Sequence, residues 1–229
     1  MAELAKKRVG RDLTDGPIMS SLLMFALPIV FTDLIQQLYS MVDLIIVGHF
    51  VGNLGTIGVN TGGEIADFLM PVATAFAAAG QIYIAPLAGA KKHEEQTSAI
   101  GTFVTLPLLA SIVFMAVTVA ANGLILNLLN CPAEALGQAR SYMLITAFGL
   151  PFIYGYNAVC GVLRGMGESK RPLMFIMIAA VVNIFLDILL VAVFDLGAAG
   201  TAIATVFSQI ASFTASFICM YRHKETFAF

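Results

Sequence analysis

Long stretches without a charged residue are the feature that most constrains the fold of this chain. No Asp, Glu, Lys or Arg occurs in residues 68–90, 96–133, 141–163 or 196–221. A helix needs about 20 apolar residues to cross the hydrocarbon core of a bilayer, so each stretch is long enough. Over the whole chain, 59% of residues are hydrophobic and 11% are charged, whereas soluble domains carry about 25% charged residues. A soluble globular domain is therefore excluded.

Several other classes of protein are excluded on the same grounds. The net charge is −2 and no dense block of basic residues exists, which argues against nucleic-acid binding. Cys131, Cys160 and Cys219 are widely spaced, which predicts small core residues rather than a metal site. The apolar stretches also lack the two-residue alternation of membrane strands. The sequence predicts an all-α integral membrane protein without a cofactor.

The charged residues divide the chain into six predicted helices. We expect them at 18–47, 56–88, 97–127, 138–163, 172–194 and 198–221. The helices form one transmembrane bundle over 18–221, preceded by a segment at 1–17 and followed by a tail or linker at 222–229.

The basic residues predict the orientation of this bundle. Eleven of the 12 Lys and Arg residues lie in the N-terminal segment, the second and fourth connections and the tail, whereas Arg140 alone lies on the other side. Because cytoplasmic loops of membrane proteins are rich in Lys and Arg, both termini are predicted to be cytoplasmic, in the plasma membrane.

Five acidic residues fall inside the predicted spans. They are Asp33, Asp43, Glu64, Asp67 and Asp187. A charged residue at the centre of a span costs about 2.5–3.5 kcal/mol on insertion scales, so such residues point to function.

Helical spacing places some of these acids beside other polar residues. In the first helix Asp43 shares a face with Gln36 and Tyr39, and Asp33 forms a neighbouring stripe with Gln37. Asn183 and Asp187 share a face of the fifth helix. Thr201, Thr205 and Gln209 share a face of the sixth.

Residues from three of these helices are expected to lie at the same distance from the outer surface of the membrane. At 1.5 Å per residue, Asp43, Asp187 and Thr205 lie roughly 8–12 Å from the outer helix ends. Carboxylate, amide and hydroxyl oxygens suit a hard monovalent cation such as Na⁺, and two adjacent carboxyl groups also favour sharing a proton. The alternative is a hydrogen-bonded cluster that only holds the helices together.

Glu64 and Asp67 lie three residues apart in the second predicted helix. They could attract a cationic substrate into a cavity. A water-facing polar stripe near the helix end explains them equally well.

Several segments, taken in their order and spacing, resemble the multidrug and toxic compound extrusion (MATE) family of cation-coupled antiporters. They are LPIVFTDLIQQLYSMVDLIIVG, IAPLAGAKK, LRGMGESKRPL, NIFLD and GAAGTAIATVFSQ. The resemblance implies a fold of twelve helices in two six-helix lobes around a central cleft. This chain resembles the N-terminal lobe.

The resemblance also implies roles for individual residues. Asp43, Asn183, Asp187 and Thr205 match the residues of a Na⁺ or H⁺ site, and Tyr142 matches a tyrosine close to it. We expect Gln36 and Tyr39 to support this site, and Asp33, Gln37, Glu64 and Asp67 to line a substrate cleft. In the implied cycle, a cation from outside rearranges the first helix and favours release of an exported organic molecule.

A second six-helix lobe is the main partner that we expect, beside the bilayer and a small organic substrate, because one lobe cannot form the cleft alone. The chain is then a partial antiporter or a half-size subunit that dimerises. A flippase of lipid-linked sugars fits less well because the spans are acidic. An intramembrane aspartyl protease is disfavoured because no GxGD-type loop occurs. An inactive structural membrane fragment is a further alternative.

Overall fold

The uncharged stretches form six long helices in a computed structural model, which describes residues 17–222. The helices are α1 (Ile18–Phe50), α2 (Asn53–Gly89), α3 (His93–Leu128), α4 (Leu136–Gly165), α5 (Lys170–Asp187, continued by Ile188–Val193) and α6 (Gly197–Arg222). All six are long and apolar enough to cross a membrane. The described part of the chain contains no strand. The prediction of an all-α, six-helix membrane protein is confirmed.

Every predicted helix is present, and each observed end lies within four residues of its predicted position. The largest difference is at α3, which begins at His93 instead of residue 97 because Glu94 and Glu95 occupy its first turn. Carboxylates stabilise the N-terminal end of a helix, where the helix dipole is positive. The helix therefore begins within the charged segment that the sequence prediction had assigned to the connection. The predicted terminal segments lie almost wholly outside the described residues, at 1–16 and 223–229.

The connections between helices are short. Only Val51 and Gly52 separate α1 from α2, and both backbone amides donate to the carbonyl oxygen of Val47. Gly52 has a φ of 77°, in the left-handed region where glycine has no steric penalty. This tight turn forces α1 and α2 to run antiparallel across the bilayer.

Helix α4 lies at the centre of the bundle and packs against α2, α3 and α6. Close packing depends on glycines. A Cβ atom on Gly161 would overlap the carbonyl group of Ala77, and one on Gly62 would lie 2.5 Å from the carbonyl oxygen of Ala139. Small residues at these positions let membrane helices approach through their backbones.

Helix α1 lies at the edge of the bundle and packs mainly on α5. Much of its apolar surface is exposed, including Leu22, Phe31 and Leu38. Such a large apolar surface would be unusual in water, so lipid or another membrane segment is its natural environment.

The fifth helix changes its winding after Asp187. The sequence predicted one continuous helix over 172–194, but residues Ile188–Val193 form a π-helix. Phe194 N–H donates to the carbonyl oxygen of Leu189 at 3.1 Å. Gly200 of α6 packs on the Leu190 backbone here, where an added Cβ would lie 3.2 Å from the carbonyl. π-helical turns are rare and often occur beside functional sites.

The cysteines only partly follow the prediction. None of the three forms a disulfide bond within residues 17–222. Cys160 is buried as expected of a small core residue, whereas Cys131 and Cys219 are half-buried. Within residues 17–222, no group of three or more His, Cys, Asp or Glu side chains is placed to hold a metal ion.

Candidate cation site and its cavity

Three helices bring polar side chains together inside the bundle. Asp43 comes from α1, Asn183 and Asp187 from α5, and Thr201 and Thr205 from α6. Asn183, Asp187 and Thr201 are fully buried, and Asp43 is 7% exposed. The i, i+4 spacing of Asn183 and Asp187, and of Thr201 and Thr205, turns each pair toward this point.

These side chains are close neighbours. The Asp187 carboxyl group interacts with that of Asp43 and with the Thr201 hydroxyl. Asp43 also interacts with Asn183. Neither carboxyl group forms a salt bridge with any residue in 17–222. Two acidic groups therefore share a buried position, and no basic side chain among residues 17–222 neutralises them.

Hydrogen bonding inside this cluster is incomplete. Seven buried side-chain atoms have no partner of normal geometry: Asp43 Oδ1, both amide atoms of Asn183, both carboxyl oxygens of Asp187, Thr201 Oγ1 and Thr205 Oγ1. A buried polar atom without a partner costs roughly 1–3 kcal/mol, so such atoms are rare in folded proteins. Six of the seven are oxygen atoms, and oxygen is the ligand that a hard cation prefers.

A second layer of polar groups surrounds this cluster. The Gln209 side-chain amide donates to the Tyr39 hydroxyl at 3.4 Å. The Tyr142 side chain interacts with Thr205. Tyr39 and Gln209 are buried, so these contacts restrict how α1, α4 and α6 sit around the carboxyl groups.

A cavity of about 210 Å³ opens beside the cluster. Its walls come from α1, α2, α4 and α6, and its polar lining includes Tyr39, Asp43, Asp67, Tyr142, Thr205 and Gln209. The buried Asp43 and the exposed Asp67 therefore line one cavity.

The remaining residues selected from the sequence lie elsewhere. Asp33 and Gln37 are exposed on α1, and Gln36 is half-buried there. None of the three lines the cavity, and neither does the exposed Glu64. Of the four residues assigned to a substrate cleft, only Asp67 reaches the cavity wall.

Two residues belong to this region although the sequence did not single them out as site residues. Thr201 is a full member of the buried cluster, and Gln209 is a member of its surrounding layer. Their four-residue spacing with Thr205 was the available signal, because all three then face the same neighbours.

A family model described as MatE matches residues 28–189 of this chain. The chain belongs to the MatE family. The match covers the helices that carry Asp43, Asn183 and Asp187, and the resemblance predicted from the sequence is confirmed.

Curated relatives of this MatE-family chain carry the word multidrug in their names. The "Probable multidrug resistance protein YpnP" of Bacillus subtilis (strain 168) is 31% identical over 93% of this chain and 48% of its own length. The "Multidrug export protein MepA" of Staphylococcus aureus (strain NCTC 8325 / PS 47) is 21% identical over 92% of this chain and 46% of its own. The chain spans about half the length of the curated relatives it matches.

Solved structures show the same fold. A multidrug resistance MATE family transporter in an outward-facing conformation aligns with a TM-score of 0.85 at 20% identity, over 90% of this chain and 46% of that one. A MOP superfamily transporter from Pyrococcus furiosus Vc1 (DSM3638) aligns with a TM-score of 0.86 at 20% identity, over 96% of this chain and 48% of that one. The six helices are therefore folded like one half of such a transporter.

Proposed function

We propose that this chain is one lobe of a cation-coupled exporter of small organic molecules, and that the coupling cation binds between Asp43 and Asp187. The observation that carries the proposal is the set of seven unpartnered polar atoms around these two carboxyl groups. A site built only to hold helices together would satisfy its hydrogen bonds, because unmatched buried groups weaken a bundle.

The chemistry of the cluster suits Na⁺ or a proton. Asp43, Asp187, the Asn183 carbonyl oxygen and the Thr205 hydroxyl supply hard oxygen ligands. The Thr201 hydroxyl adds another. One bound cation offsets part of the repulsion between two buried carboxylates, and a proton shared between them does the same. The same residues can therefore serve either coupling ion.

Coupling to export follows from the position of α1. This helix supplies Asp43 to the site and Tyr39 to its surroundings, and it lies at the edge of the bundle. A cation shifts a conformational equilibrium only by its difference in affinity between the two states. Occupancy favours the position of α1 that brings Asp43 to Asp187, and so changes the shape of the cavity that α1 lines.

The exported molecule is proposed to be an organic cation. Asp67 lies at the cavity wall, and Asp33 and Glu64 are exposed acids that a cationic molecule can approach. A complete cleft needs a second six-helix lobe, either in the same polypeptide or in a second copy of this chain. We propose that both termini face the cytoplasm, because eleven of the 12 Lys and Arg residues lie in the terminal segments and the second and fourth connections, which a six-span topology assigns to one side.

Two measurements test the proposal. Binding of radioactive Na⁺ to the purified chain, and its competition by protons, reports the site directly. Cation-driven dye efflux from vesicles, with the chain assembled with a second lobe, reports coupling. Asp43→Asn and Asp187→Asn are expected to abolish both signals. Asp195→Asn is the matched control, because Asp195 is exposed in the turn before α6. Unchanged cation binding and efflux in the site variants would refute the assignment.

A further inference from the structure

The side chain of Gln138 joins the start of α4 to the start of α6. Its Oε1 accepts a hydrogen bond from the backbone N–H of Ala198 at 2.9 Å. The first four N–H groups of a helix have no acceptor within the helix, and Ala198 is the second residue of α6. Gln138 therefore supplies an acceptor that α6 lacks. Because only the amide oxygen can accept from an N–H, the bond also fixes the orientation of the side-chain amide.

Glycines of two helices make room for this contact. Gly197 precedes Ala198 with a φ of 57°, and an added Cβ there would lie 3.0 Å from Gln138 Oε1. Gly58 of α2 packs on the base of the Gln138 side chain, where an added Cβ would lie 2.5 Å from Gln138 Cβ. The Gln138 side chain is thus confined by α2 as well as bonded to α6.

The bond lies one turn before the hydroxyl groups of the cation site. Thr201 follows Ala198 by three residues and Thr205 follows by seven, so all three lie on one face of α6. On α4, Gln138 precedes Tyr142 by four residues and shares its face, and Tyr142 interacts with Thr205. Helix α4 therefore holds α6 at two levels, at its start and at Thr205.

We propose that Gln138 is a positioning residue of the cation site, and that it holds the Thr201 hydroxyl where this group can bind Na⁺ beside Asp187. Gln138 does not line the cavity next to Asp43, so it acts through α6 and not on the ion. Thr201 interacts with the Asp187 carboxyl group. The ligands of a binding site must be held within about 0.5 Å of their working positions, so a shift of the start of α6 weakens the site.

The effect is expected to fall mainly on Thr201. Thr205 lies one turn further along α6, where Tyr142 holds it as well. Thr201 is fully buried, and its hydroxyl has no hydrogen-bond partner of normal geometry that would keep it in place. The role of Gln138 rests on the proposed cation site, with Na⁺ as its ion.

Na⁺ binding and unfolding of the purified full chain separate this role from simple stabilisation of the bundle. Gln138→Met keeps the length of the side chain and removes the acceptor. Gln81→Met is the matched control, because Gln81 Oε1 also accepts a hydrogen bond between helices, from Arg164 Nε at 3.2 Å. Gln81 lies roughly 20 Å along α2 from Asp67 of the cavity wall. Both variants are expected to unfold more readily, but only Gln138→Met should weaken Na⁺ binding, about three- to tenfold.

Further variants identify the route of the effect. Thr201→Val removes the hydroxyl with little change in shape, and adding Gln138→Met to it should lower the Na⁺ affinity by less than about twofold. Gln138→Glu keeps an acceptor oxygen, which is favourable at the start of a helix, and should bind Na⁺ at least as tightly as the unsubstituted chain. Hydrogen exchange of residues 197–201 without Na⁺ should be faster in Gln138→Met and unchanged in Gln138→Glu and Gln81→Met.

The outcomes distinguish a failure of this role from a failure of the cation site. Unchanged Na⁺ affinity in Gln138→Met, or an equal loss in Gln81→Met, would overturn the role of Gln138 and leave the site in place. A full additional loss in the double variant would also overturn it, because Gln138 would then act independently of Thr201. Absence of Na⁺ binding by the unsubstituted chain would instead overturn the Na⁺ site, and the role of Gln138 with it.

Discussion

The close contact between α2 and α4 predicts that adding a methyl group there destabilises the protein. Gly161 of α4 faces the backbone of Ala77, and an added Cβ would overlap the Ala77 carbonyl group. Backbone atoms cannot rotate away, so Gly161→Ala must push the two helices apart. Overpacking of this kind costs about 1–3 kcal/mol.

Two other glycines provide matched controls within helices. Gly101 in α3 and Gly123 near its end have no atom within 4 Å of an added Cβ. Substituting alanine there reduces backbone freedom without a clash, which is worth about 0.5–1 kcal/mol in favour of the helix. The same chemical change is therefore expected to destabilise the protein at position 161 and to leave it equally or more stable at positions 101 and 123.

Unfolding of the purified protein in mixed detergent micelles measures all three effects. The midpoint of the Gly161→Ala transition is expected to fall, whereas those of Gly101→Ala and Gly123→Ala are expected to stay level or rise. Equal stability of Gly161→Ala and the unsubstituted chain would show that α2 and α4 are not in backbone contact. The position of α2 in the wall of the cavity beside Asp43 would then be wrong as well, because this contact sets the distance between α2 and α4.

Three further predictions concern the site, the outer connection and the core. Na⁺ at 100 times its dissociation constant is expected to stabilise the chain by about 2.7 kcal/mol, and Asp187→Asn should abolish this stabilisation. An equal thermal shift in both proteins would show that Asp187 does not bind Na⁺. Burial raises the pKa of the Cys131 thiol above its ordinary value, so less thiolate is present at neutral pH. Labelling of Cys131 by an impermeant maleimide added outside the cell should be slow, and its rate should rise about tenfold per pH unit below that pKa. Labelling of Cys131 only after permeabilisation would show that the predicted orientation of the bundle is wrong. Tyr154→Phe is expected to cost about 1 kcal/mol, because the Tyr154 hydroxyl donates to the carbonyl oxygen of Leu69 at 2.8 Å; unchanged unfolding would indicate that this bond is absent.

The helices could be predicted from the sequence because each lipid-facing span must avoid charge. The same rule made Asp43 and Asp187 conspicuous. Helical spacing put Asn183 on the same face as Asp187, and depth along the helices put Asp43, Asp187 and Thr205 at one level. In the structure Asp43 interacts with Asn183 and Asp187, and it shares a cavity wall with Thr205. Periodicity within each helix and depth from the helix ends were sufficient here, since both can be read without knowing how the helices rotate against one another.

The rotation of each helix against its neighbours could not be predicted. Glu64 and Asp67 are three residues apart and looked equivalent in the sequence, yet only Asp67 lines the cavity. The backbone contact of Gly62 with Ala139 fixes the rotation of α2, and this contact depends on another helix 77 residues away. The π-helix after Asp187 was missed for the same reason, because residues Ile188–Val193 are ordinary apolar residues and Gly200 packs against them from α6.

The central position of α4 has a consequence for how the protein is made. Of the six spans, α4 is the least apolar and the most buried. A weakly apolar helix has little free energy to gain from lipid on its own, so its entry into the bilayer depends on partners already present. Helices α2 and α3 are synthesised first and pack on α4. Substitutions on their inner faces should therefore reduce the amount of inserted protein, in addition to any effect on transport.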